Sequence, residues 1–70
     1  MPGVLKSSWP EVVDKPDHVA IPIIHRDRPD VYTQVIKLGE RVEPGTDNKR
    51  VRVFVHNDEE LTVAREPVIG

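Results

Sequence analysis

Seventy residues make one domain, near the size at which a hydrophobic core alone barely offsets chain entropy, so neither a second domain nor a large internal cavity is expected. With no cysteine, disulfides cannot add stability, while 37% hydrophobic and 31% charged residues is the balance of a folded chain rather than a disordered one. Ten basic and twelve acidic residues leave a net charge of −2, which supplies no field to draw in nucleic acid or an anionic membrane.

In chain order, the opening MPGVLKSSWPE lacks the basic and apolar regions of a secretory signal, and the chain is read as soluble, with no signal peptide and its location open. Trp9, the lone tryptophan, is expected in the core with its indole N–H satisfied. Pro16 and Asp17 have the composition of a helix start, and a helix from about Pro16 to His25 would bury a stripe of Val19, Ala20, Ile23 and Ile24. Pro22 falls inside it, removes a backbone donor and predicts a kink or an early end. The apolar run from Val19 to Ile24 is far shorter than the roughly 20 residues of a membrane span. Arg26, Asp27, Arg28 and Asp30 read as a solvated link with weak surface ion pairs.

From Val31 to Leu38 apolar and polar residues alternate with the period of a strand, and Arg50 to Val55 (RVRVFV) alternates more cleanly, with Val51, Val53 and Val55 on one side and Arg50, Arg52 and Phe54 on the other. Leu61 to Ala64 is expected to form a short third strand, after a solvated acidic turn at Asp58, Glu59 and Glu60. One helix packed on a small mixed β-sheet, an α+β fold, is the economical architecture. Residues 39–49 are rich in charge, proline and glycine and carry no apolar period. A long exposed loop in so small a domain is a candidate functional element.

Three separated motifs resemble the potato inhibitor I family: LKSSWPEVV around Trp9, the RVRVFV strand, and the terminal PVIG. The resemblance spans most of the chain, with residues 1–70 as one such domain and residues 39–49 as its binding loop. It implies a small disulfide-free wedge that presents the loop to a serine protease of subtilisin or chymotrypsin/elastase type, as though it were substrate. The reactive-site loop would be Val42, Glu43, Pro44, Gly45 and Thr46, with Pro44–Gly45 as the scissile bond. Arg50 and Arg52 occupy the positions of two arginines that brace this loop in the family. They alternate to one side of their strand, and guanidinium forks suit carbonyl and carboxylate acceptors.

Two residues depart from the family pattern. Pro44 replaces a bulky apolar anchor and has no N–H to donate to the protease, and Gly45 replaces an acidic residue that one arginine engages. Glu43, or alternatively Asp47, is expected to offer a carboxylate to Arg50 or Arg52 instead. A register with Val42 before the scissile bond would suit an elastase. The alternative function is a non-inhibitory family homologue, a protein-binding or structural module. Neither a cofactor nor catalysis is expected: His18, His25 and His56 lack metal-ligand spacing, and Ser7 and Ser8 have no base in an identifiable arrangement. The inhibitor is expected to be a monomer.

Overall fold

Strands β1 (Tyr32–Lys37), β2 (Arg50–Val55) and β3 (Val68–Ile69) form one sheet in the order β1-β2-β3 in the computed structural model, which describes residues 6–70. A 3-10 turn (Pro10–Val12) and helix α1 (Asp17–Asp27) precede them. The α+β architecture with a mixed sheet is the one the periodicities imply. β1 pairs with β2 in parallel, from Tyr32 opposite Arg50 to Lys37 opposite Val55, whereas β3 is antiparallel, with Val51 opposite Ile69. Met1 to Leu5, of which Leu5 opens the amino-terminal motif, lie outside the described residues.

The alternation in β2 sets the core. Val51, Val53 and Val55 are fully buried against Trp9, Val12, Ala20, Ile24, Val31 and Val63, and each buried valine contributes roughly 1.5–3 kcal/mol relative to exposure. Trp9 is completely enclosed, and its Nε1–H donates to Asp27 Oδ2 at 3.1 Å, so the one polar atom of the indole is satisfied.

Four expectations change. Helix α1 is not cut short at Pro22 and runs two residues beyond His25, to Asp27. The donor that proline lacks would have met the His18 carbonyl, and both residues lie on the exposed side, where the carbonyl is open to solvent and the missing bond costs little. In the expected stripe Ala20 and Ile24 are buried and Ile23 packs against the core, but Val19 is exposed. The third strand is Val68–Ile69 rather than Leu61 to Ala64, where Val63 makes only an isolated bridge to Val55 and Thr62 one to Pro16. Finally, Arg28 is no surface residue: it is only 8% exposed, its Nε and Nη2 fork onto the Asp30 carboxylate, both at 2.8 Å, and its Nη1 donates to the Lys6 carbonyl at 2.9 Å. This fork holds the Asp30 carboxyl well below the usual carboxylate range, with Lys49 adding to the effect.

β1 shows what a period of two leaves open. Val35 lies on the core side of the sheet, opposite Val53, yet is 37% exposed because the outer strand is poorly covered there. Ile36 lies on the other face, opposite Phe54, and is nonetheless 5% exposed. A second apolar contact therefore exists on the side of the sheet away from the helix, and Arg65 stacks over the Phe54 ring there at 4.1 Å.

Candidate functional site

No pocket forms among the described residues, which leaves the exposed loop as the candidate site. Its path follows from the strand directions. Because β1 and β2 are parallel, residues 38–49 must return from the end of one strand to the start of the next, about 17–20 Å for six-residue strands. Such connections are usually helical. Here the polar sequence with its proline and glycine offers no apolar stripe to a helix, and the backbone runs instead as an irregular strap.

The strap is tied to the sheet face opposite the helix. Arg50, Arg52 and Phe54 point to that face, as do their cross-strand neighbours Tyr32, Gln34 and Ile36. Arg52 Nη2 donates to the Glu43 carbonyl at 2.7 Å and Arg50 Nη2 to the Gly45 carbonyl at 3.1 Å. The two bonds grip the chain on either side of Pro44. Arg50 Nε also donates to the main-chain oxygen of Gly70 at 2.6 Å, so the same guanidinium ties the loop to the end of the chain beyond β3.

Further ties hold the flanks. At the departure from β1, Glu40 Oε1 accepts from the Lys37 N–H at 2.6 Å and the Glu40 N–H donates to the Lys37 carbonyl at 3.0 Å, around Gly39 at φ +94. At the return, Asp47 accepts from the Lys49 N–H at 2.9 Å and from the Tyr32 hydroxyl at 2.7 Å. These donors, the Lys49 N–H foremost, hold the Asp47 carboxyl below its ordinary range, and donation to Asp47 pushes the Tyr32 hydroxyl up. Lys49 Nζ meets Asp30 at 2.9 Å, the carboxylate already held by Arg28.

Of the candidate residues, Glu43, Pro44, Gly45 and Thr46 are exposed and Val42 is half-buried. Glu43 takes part through its carbonyl, not its carboxylate, which makes no ion pair among the described residues. Asp47 likewise spends its carboxylate on Tyr32 and Lys49. The expected carboxylate partner for Arg50 or Arg52 is therefore not found, and Arg52 Nε is left buried without a hydrogen-bond partner.

Gly45 does more than vacate that place. Its φ of +107 lies where side-chain-bearing residues are strained, and the chain bends there, although a Cβ would meet nothing within 4 Å. Glycine is required for its backbone rather than for space. Proline followed by glycine is a turn signature in its own right, and the bend was legible from that pair.

A family model described as the potato inhibitor I family matches residues 2–70. The chain belongs to the potato inhibitor I family. It is 38% identical over 66 residues to the protease inhibitor HPI of Hevea brasiliensis, an alignment covering 94% of this chain and 91% of the relative. It is 40% identical over 65 residues to the subtilisin-chymotrypsin inhibitor CI-1A of Hordeum vulgare, covering 93% and 71%. The crystal structure of bitter gourd trypsin inhibitor superposes with a TM-score of 0.86 at 39% identity, covering 96% of each chain. In this potato inhibitor I chain three contributors to the loop's support escaped sequence reasoning: Tyr32, the Gly70 oxygen, and the Ile36–Phe54 contact on the loop side of the sheet. Alternation put Tyr32 and Ile36 on one side of β1, but only the parallel register puts that side with the arginines.

Proposed function

We propose that the protein is a serine endopeptidase inhibitor that offers residues 42–46 to its enzyme as a substrate-like segment, with Pro44–Gly45 as the bond presented to the catalytic serine. The observation that carries this reading is the pair of guanidinium bonds to the Glu43 and Gly45 carbonyls, one on each side of Pro44. Val42 and Glu43 supply the contacts upstream of the bond, and Thr46 lies on the leaving side. The names of the Hordeum relative and of the bitter gourd structure, which point to subtilisin, chymotrypsin and trypsin, support enzymes of these types as partners.

The inhibition follows from order already present. A flexible peptide loses backbone freedom on binding, about 1–2 kcal/mol per residue fixed, whereas a braced one lost it on folding. Should the serine oxygen attack the Pro44 carbonyl carbon, the C–N bond to Gly45 breaks and the proton passes to the Gly45 amine. Arg50 holds the Gly45 carbonyl, so this amine stays beside the acyl group and re-forms the bond faster than water enters.

Pro44 weakens the contact with enzymes that expect a main-chain donor, since a hydrogen bond lost in a desolvated site costs about 1–3 kcal/mol. Inhibition of trypsin, chymotrypsin, elastase and subtilisin is accordingly expected to be micromolar or weaker, and Pro44→Leu is expected to bring subtilisin or chymotrypsin inhibition to the nanomolar range. A Pro44→Leu protein inert against both, together with an unmodified protein inert against every serine endopeptidase tested, would overturn the assignment. That outcome would favour the second reading, a non-inhibitory binding module, which the bend at Gly45 also supports.

A further inference from the structure

We infer that Pro44 selects the enzyme: the partner is a serine endopeptidase that cleaves after proline, with a primary pocket shaped for a pyrrolidine ring. This rests on the inhibitor reading above and narrows it to one class of protease.

Pro44 is exposed, and the carbonyls on both sides of it are tied to the body of the protein, so its ring is presented in a fixed place. The ring locks φ near −65° and biases Glu43 toward an extended conformation, and the residue entering the enzyme is thereby ordered in advance. What Pro44 lacks is the main-chain N–H, and only an enzyme that binds proline at this position does without that donor. A deep slot for a long side chain would be left partly empty by the ring, and a basic-residue pocket would find no charge.

The surroundings agree. On the leaving side the chain departs from an extended path at Gly45, φ +107, and presents no side chain there. Contacts beyond the bond are reduced, and the primary pocket carries a larger share of the discrimination. Upstream, the Glu43 carboxylate is exposed and makes no ion pair among the described residues, which leaves it available to a basic or hydrogen-bond-donating neighbour of that pocket.

The test measures inhibition constants of the full chain, Pro44→Ala and Pro44→Leu against a post-proline serine endopeptidase that accepts folded proteins, and against subtilisin in parallel. Urea midpoints show that the exposed substitutions leave the fold intact. The unmodified protein is expected to inhibit the post-proline enzyme at least about 100-fold more tightly than subtilisin, with Pro44→Leu reversing the order and Pro44→Ala losing at least about tenfold on the post-proline enzyme. If Pro44→Leu inhibits subtilisin while the unmodified protein fails on the post-proline enzyme, the inference is overturned and the inhibitor reading stands. If neither protein inhibits either enzyme, both fail. Rapid and complete cutting after Pro44 by the post-proline enzyme, seen by mass spectrometry, would overturn the inference as well, since it would make the loop a substrate.

Discussion

Arg52→Ala deletes the 2.7 Å bond to the Glu43 carbonyl and with it the restraint just upstream of Pro44. Two effects on global stability oppose one another. The lost bond has a charged donor and an exposed acceptor and contributes about 1 kcal/mol, while the buried, unpartnered Arg52 Nε costs about 1–3 kcal/mol, which truncation relieves. The unfolding free energy is therefore expected to change by between about 0 and 2 kcal/mol, in the stabilising direction. Binding responds differently. Freeing one to two residues upstream of the bond restores about 1–2 kcal/mol of backbone entropy for each, and the Arg50 bond to Gly45 persists, so inhibition should weaken by about 1–4 kcal/mol, roughly 5- to 800-fold. Pro44→Leu supplies a background tight enough to measure the change against subtilisin, by comparison with Pro44→Leu/Arg52→Ala. A change of about twofold or less, with no loss of stability, would refute the idea that the guanidinium stiffens the loop.

Arg50→Ala should behave otherwise, because its Nε also holds the Gly70 oxygen: a stability loss of about 1–2 kcal/mol by urea denaturation is expected alongside weaker inhibition. Gly45→Ala meets no neighbour within 4 Å but must adopt φ +107, and it should cost about 1–2 kcal/mol by the same measurement; an unchanged midpoint would mean that the loop does not hold that backbone in solution. The Tyr32–Asp47 clamp has a pH window. Asp47 is depressed on folding, so its contribution is complete above about pH 4 and fades as pH falls through its lower folded value. Tyr32 is raised, so its contribution is complete below about pH 10 and fades as pH climbs through the raised value. Limited proteolysis of the loop should accelerate at both ends of this range, and Tyr32→Phe should cut faster than the unmodified protein at neutral pH and flatten the profile.

The helix and the two long strands were legible because each carries enough turns or alternations for a period to show. β3 was not, since two residues have no period, and its place comes from the antiparallel pairing of Val51 with Ile69 and Arg52 with Val68. Arg28 illustrates a different blindness: an arginine among charged neighbours reads as solvated, and only the fold brings it beneath the Lys6 carbonyl with Asp30 in reach of its fork. In the loop, the direction of Arg50 and Arg52 followed from alternation, yet which acceptors they meet depended on the parallel register and on the bend at Gly45. The residue types suited carbonyls and carboxylates alike, and a side-chain carboxylate from Glu43 or Asp47 was expected among the acceptors. The guanidiniums found main-chain carbonyls, which every loop sequence possesses and no composition reveals.

Strand β2 builds the core with one set of residues and steadies the loop with the other, at alternate positions of a single six-residue element. A one-residue slip in its pairing would turn the valines outward and drive two cations into the apolar interior, so no frame-shifted form can be stable. Whatever drives the valines inward also aims the arginines, without any separate requirement on their orientation. The acceptors are main-chain oxygens, and the tip of the loop can change its side chains while the strand keeps hold of it. A domain of this size can thus meet a new enzyme by altering a few exposed residues and leaving its interior untouched.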